Sequence, residues 1–234
     1  MEQPGILLLR LKGPMMGWGG VKVDAFGAPS PVPLVSTVTG MLACALGVPR
    51  SDHATHQAIQ DAIAMGVAIL DRGEVELDYQ TTDLAKPHLT GPMWTPEGIP
   101  FERAGSGLAA KRIVHKPYVA GADLLAAVRL GPAMPFERDG IEAALDEPAH
   151  PLVLGRVCCP PSLDLFHGWS EDEELADALL AACAALGREP AEIWLPAAVA
   201  APQPGDMFIS VSGRRDWRLH RHVGNETFLR RIPA

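Results

Sequence analysis

His115, Lys116 and Tyr118 put an imidazole, an ammonium and a phenol within four consecutive residues. A histidine that titrates near neutrality can move a proton, and a lysine can steady developing negative charge. Acid–base cleavage of RNA needs both. With Lys111 and Arg112 just upstream, the same cations suit another task, holding the backbone of single-stranded RNA without cutting it. An ordinary solvated face would carry the same residues. A second group is the loop Gly13 to Gly20, where glycines leave room for a phosphate to approach the backbone. It lacks the Gly-Lys-Ser/Thr of a P-loop and the glycine spacing of a dinucleotide fingerprint, and a turn with Trp18 packed in the core is the plain alternative.

Two further sets point away from metal chemistry. Cys158 and Cys159 are adjacent, without the two-residue spacing that lets both thiolates reach one zinc, so with His150 or His167 nearby in sequence they are still expected to pack in the core. His220-Arg221-His222 alternates along an extended segment and reads as a solvated or phosphate-facing edge. No metal and no cofactor is expected.

Composition limits what can surround these groups. With 47% hydrophobic and 21% charged residues, the 234-residue chain is globular and can bury its own core. Four cysteines in so long a chain make no disulfide framework, and no apolar run approaches the ~18 residues of a membrane span. No signal peptide is read at the N-terminus, and a reducing cytoplasm is the expected location. The net charge of −8 argues against strong nonspecific affinity for nucleic acid, so an RNA site must be a local patch. Charge is indeed uneven: Glu137 to Glu192 holds 13 acids against three arginines, whereas Asp206 to Arg231 holds six arginines against three acids.

The elements that would position these residues alternate between strands and helices. Ile6 to Leu11 reads as a strand ended by Gly13-Pro14. Ser36-Thr37 is expected to cap a helix through Leu46 that stops at Gly47, and Ser51 or Asp52 a second helix to about Ala64. Val67–Leu70 and Val75–Leu77 read as a hairpin about Asp71-Arg72-Gly73. Residues 83 to 110, with four prolines and no period, read as a long insertion in which Trp94 and Phe101 can stack on a base, wedge between subunits or bury the insertion's own face. Leu124 to Leu130 reads as a buried strand, Ile141 to Leu145 as a short helix. Ser170 to Glu173 reads as a capping box opening a helix that Gly187 ends, with Ile193–Leu195 and Met207–Val211 as further strands. The class is α+β.

Five blocks in order then carry a resemblance. Leu7 to Gly20, including Gly13-Pro14-Met15-Met16-Gly17-Trp18-Gly19, is followed by Pro33 to Leu46, Asp78-Tyr79-Gln80-Thr81, Lys116-Pro117-Tyr118-Val119, and Pro151 to Pro160 with Leu154-Gly155-Arg156. Together they resemble the CasD family of type I-E Cascade. Gln80 stands where that family has His, and Lys116 where it has Arg. The resemblance implies a ferredoxin-like, RRM-related core over residues 1–165, a thumb-like hairpin insertion at 83–110, and an added C-terminal region, 166–234, packed on the core. It implies a non-catalytic subunit in antiviral defence that binds the 5′ handle of crRNA, through Gly17, Trp18, Gly19, Lys22, Lys111, Arg112, His115, Lys116 and Arg156. The implied neighbours are a backbone subunit and a large subunit, with target DNA reached indirectly. The rivals are a guide-processing endoribonuclease using His115 and a structural subunit that touches only protein.

Overall fold

The computed structural model describes residues 5–19, 30–83, 93–94, 100–101 and 111–233. Within them the chain forms, in order, β1 (Ile6–Lys12), β2 (Met15–Met16), α1 (Val35–Ala45), α2 (His53–Ala62), β3 (Ile63–Asp71), β4 (Glu74–Asp83), β5 (Met93–Trp94), β6 (Pro100–Phe101), β7 (Lys111–Ala120), β8 (Asp123–Leu130) and α3 (Arg138–Asp146). It continues with β9 (Phe166–Ser170), α4 (Leu175–Ala185), β10 (Glu192–Pro196), β11 (Met207–Val211), β12 (Arg215–Asp216), β13 (Arg221–His222) and β14 (Glu226–Arg231).

Seven strands make one antiparallel sheet in the order β11-β14-β10-β3-β8-β1-β9. Its central strands are apolar on both faces, as strands covered on both sides must be. In β1, Leu7, Leu9 and Leu11 join the larger core under α1 and α3, while Ile6 and Leu8 face α4 with Leu175, Leu179 and Cys183. Where a charge does enter, it is paired: Asp123 of β8 accepts from Arg10 at 3.0 and 3.2 Å and meets Lys12 at 3.2 Å. Burial pushes that carboxyl up, but the two cations outweigh it and hold it below the usual aspartate value. Glu192 of β10 is held the same way between Arg72 and Arg230, with Trp194 donating to it.

β3 and β4 form as expected from the sequence, and so does their turn, where the Asp71 carboxylate accepts from Gly73 N at 3.0 Å. They do not pair with each other. β3, apolar on both faces, needs a central place and pairs with β8 and β10; β4 alternates Glu74-Val75-Glu76-Leu77 and, among the described residues, pairs only with β7, at the edge of a second sheet, β2-β7-β4. The chain changes sheets at Gly73, which has φ +62 and where a Cβ would stand 2.2 Å from Ala120 O. Only glycine fits there.

β4 and β7 pair along their whole length, from Glu74 opposite Ala120 to Asp83 opposite Lys111. Beyond them, β5 and β6 pair as a short ladder. The rest of the 83–110 insertion, and the side chains of Trp94 and Phe101, lie outside the described residues.

Three caps differ from the sequence reading or refine it. α1 starts at Val35 after Leu34, without a side-chain cap, because the Ser36 N–H finds the Gly213 carbonyl at 3.1 Å instead. α2 is capped by Asp52, whose carboxylate accepts from Thr55 N at 3.1 Å, and ends at Ala62. α4 starts at Leu175 rather than after Ser170, since Ser170 is committed to β9 opposite Ile6. Gly47 and Gly187 follow α1 and α4 in left-handed conformations.

Candidate nucleic-acid interface

After β1 the chain turns at Gly13-Pro14, and β2 adds to β7 with Met16 opposite Val119. Met16 and Trp18 both point into the core, and Gly17 between them is buried beneath Arg156, so Gly19 is the glycine whose backbone faces outward. This loop is bound tightly to the segment after α3. Gly17 N donates to Leu154 O at 2.9 Å. Gly155 has φ +89, and a Cβ there would lie 2.5 Å from Gly17 O; a Cβ on Gly17 would lie 2.8 Å from the Arg156 side chain.

Arg156 then reaches β7. Its guanidinium lies 4.4 Å from the Tyr118 ring centroid and donates to Pro117 O at 3.0 Å. The Tyr118 hydroxyl sits 3.4 Å from Cys158 Sγ. That hydrogen bond is the main reason the Cys158 thiol falls below its usual value, whereas burial pushes neighbouring Cys159 up to about 11. Three stretches distant in sequence, around residues 17, 118 and 156, thus close into one knot.

Beside the knot lies a cleft of about 500 Å³. One wall is Gly17, Gly19 and Arg156; the floor is the first turns of α1 at Thr37 and Gly40; the other wall is Arg215, Trp217 and His222. α1 has no acidic residue in its first turn, so nothing on the helix neutralises the positive end of its dipole. Arginine on both walls and a helix N-terminus below make a place suited to anions.

A family model for the CRISPR-associated protein (Cas_Cas5) matches residues 6–228. The chain belongs to the Cas5 family. A curated relative, "CRISPR system Cascade subunit CasD" of Escherichia coli (strain K12), is 28% identical over 182 residues, which are 74% of this chain and 75% of the relative. Two solved structures share the fold. One, a "CRISPR RNA-guided surveillance complex", matches with TM-score 0.64 at 20% identity, over 97% of this chain and 89% of its own. The other, a "Crystal structure of Cas protein", matches with TM-score 0.58 at 22% identity, over 97% and 94%.

In this Cas5 family chain the residues singled out from sequence fall into three groups. Gly17, Gly19 and Arg156 come together at the cleft. Trp18 stands in the same loop but is only 1% exposed, so its ring is a core element, as the plain reading had it, and offers no stacking surface. His115 and Lys116 lie in β7, while Lys111 and Arg112 begin that strand with side chains outside the described residues, as is Lys22 altogether.

His115 and Lys116 do not converge. Successive strand residues point to opposite faces. His115 packs edge-on to Tyr79 across the ladder, rings 5.3 Å apart, whereas Lys116 shares its face with Tyr118. The cysteine pair also divides: Cys159 is in the core as expected, but Cys158 is exposed. Among the described residues no group of three or more His, Cys, Asp or Glu is placed to hold a metal ion.

Sequence reasoning missed Arg215 and Trp217 as wall residues. The signal was present in the arginine excess after Asp206, but nothing local says that this stretch returns to α1.

Proposed function

We propose that this chain is a non-catalytic subunit of a Cascade-type surveillance complex in antiviral defence, holding the 5′ handle of crRNA in the cleft beside Gly17 and Arg156. The observation that carries the reading is the knot itself. Three of the five blocks that resemble the CasD family meet there, and with a fourth, which carries α1, they leave the exposed backbone of Gly19, an arginine and a helix N-terminus around one groove. Phosphate contacts would supply affinity, and splayed bases in pockets the specificity. The E. coli relative, a Cascade subunit by name, and the fold shared with a chain of an RNA-guided surveillance complex support the assignment to such an assembly.

The non-catalytic part of the reading is supported by the opposite faces of His115 and Lys116, which deny a cleavage site its acid–base pair. We read β1, α1–α2, β3, β8, α3 and β9 as the ferredoxin-like core. Their order β9-β1-β8-β3 is that of the split β-α-β, with α1 and α3 packed on one face. The core then runs to Ser170, and the added C-terminal region supplies α4 and the strands beyond β3.

The insertion at 83–110 is read as the family's thumb-like hairpin, and the backbone subunit is one neighbour. The large subunit is the other neighbour, and target DNA is reached through the complex, in the cytoplasm. Among the described residues no helix is long and apolar enough to cross a membrane.

The test is copurification with the neighbouring subunits and sequencing of bound RNA, for the unaltered chain and Arg156→Ala. Recovery of repeat-derived 5′ ends that Arg156→Ala depletes is expected. Assembly without RNA contact at this chain would leave only the protein-contacting rival.

A further inference from the structure

Arg214 to His222 holds four arginines and two histidines against one aspartate, in a chain of net charge −8. The stretch forms the β12–β13 hairpin, with Arg215 opposite His222. It is clamped to α2 by one glutamine: the Gln60 amide donates to Arg215 O at 2.9 Å and accepts from Arg215 N at 3.0 Å. Arg214 is neutralised by Asp61 at 2.7 Å. Among the described residues Arg215, Arg218 and Arg221 make no ion pair.

Like charges are gathered rather than separated there. His53, at the start of α2, meets His220 ring to ring at 4.9 Å, and His220 itself has φ +53. Burial, and then Arg50, disfavour the charged form of Arg215; burial, His53, Arg215 and Arg50 do the same to His220. Of the acids nearby, Asp52 caps α2, and Asp216, which accepts from Leu219 N at 2.8 Å, offsets only part of the repulsion on His220. The Nε atom of Arg215 and the indole N–H of Trp217 are buried without hydrogen-bond partners among the described residues.

The hairpin is also a ridge. On one side Arg215 and Trp217 wall the cleft that holds Gly17 and Arg156; on the other, Arg218 and Asp216 line a second hollow of about 500 Å³ with His53 and Gln57. Repulsion held in place by a glutamine clamp, and continuous with an anion-favouring cleft, is relieved by a polyanion lying across it.

We propose that the β12–β13 hairpin, with Arg50 and His53, is a second phosphodiester-binding surface that leads a nucleic-acid strand out of the cleft and over Arg218 and Arg221. The inference rests on the RNA-binding reading of the cleft. Guide RNA and target DNA share the chemistry that this surface recognises.

The experiment compares the full chain with Arg218→Glu/Arg221→Glu and, separately, Arg156→Ala. Each is titrated over a salt series with a labelled single-stranded RNA and a labelled DNA duplex, and circular dichroism checks the fold. Both arginines are exposed, so the double variant should fold. For RNA its log–log salt slope should fall by about 1.4, two contacts at ~0.7 each, with at least a tenfold loss of affinity at low salt. Arg218→Lys/Arg221→Lys should restore the slope. A loss confined to DNA assigns the surface to the target and supports the proposal equally. Unchanged affinity and slope with both probes overturns it, even if Arg156→Ala weakens RNA binding, in which case the cleft reading stands alone. If Arg156→Ala is silent while the hairpin variant is weak, the cleft reading falls and takes with it the path out of the cleft, which overturns the proposal as stated. An unaltered chain that binds neither probe at low salt overturns both.

Discussion

Gly155→Ala tests the knot most directly, because the structure allows its cost to be worked out. At φ +89 an alanine is strained by ~1–3 kcal/mol on dihedral grounds alone. Its Cβ would also stand 2.5 Å from Gly17 O and 2.8 Å from Gly17 C, both backbone atoms, so the Gly13–Gly19 loop has to move. Moving it stretches the 2.9 Å bond from Gly17 N to Leu154 O, worth about 1 kcal/mol. The sum is ~2–4 kcal/mol, and at ~2–4 °C per kcal/mol for a chain of this length Tm falls by roughly 10 °C. Gly121→Ala is the control: φ is +71, but nothing lies within 4 Å, so only the dihedral cost of ~1 kcal/mol applies. Both variants are melted by differential scanning calorimetry and titrated with single-stranded RNA. Gly155→Ala should melt well below Gly121→Ala and bind RNA more weakly. Equal melting points would refute the close packing of Gly155 on Gly17.

Other outcomes follow from the same contacts. Arg230→Leu leaves the buried Glu192 carboxylate with the half-exposed Arg72 and the Trp194 N–H, and should cost about 2 kcal/mol at pH 7 by denaturant unfolding. Glu192 and Asp123 are held below their ordinary values, 4.5 and 3.8, so their contribution is present above those values and lost as pH falls beneath them. The Arg230→Leu deficit should therefore shrink in acid, and a pH-independent deficit would show that pairing is not its cause. Lys111→Ala/Arg112→Ala/Lys116→Ala should lower the RNA salt slope by about 2 if all three touch phosphate. His115→Ala should leave precursor RNA processing unchanged in a cleavage assay, whereas a catalytic histidine would cost ~10²- to 10⁴-fold.

Local signals made parts of the fold legible. The apolar run of β1, the Asp52 cap, and Gly47 and Gly187 at helix ends each act within a few residues. Signals that depend on distant partners were not legible. Ser36 is a reasonable N-cap until the Gly213 carbonyl takes its N–H, and Ser170 until β9 pairs with β1. The Asp71-Arg72-Gly73 turn looks like a hairpin, yet β3 is apolar on both faces and β4 on one, so they belong in different sheets. At the site, Gly17, Gly19 and Arg156 were visible through block order. Trp18, which the resemblance puts among the RNA-binding residues, packs in the core beside Met16 of β2. Arg215 and Trp217 were hidden because Gln60, 155 residues away, fixes their place.

Asp83 and Lys111 leave the β4–β7 ribbon side by side. Paired residues in an antiparallel ladder have Cα atoms about 5 Å apart, so whatever joins them starts and ends at nearly one point. Closing a loop between such ends costs only ~0.6 kcal/mol more for each doubling of its length. The ribbon is therefore a port for exchange: segments of different length and sequence can be spliced between Asp83 and Lys111 while the cleft, anchored through Tyr118 at the other end of β7, keeps its shape.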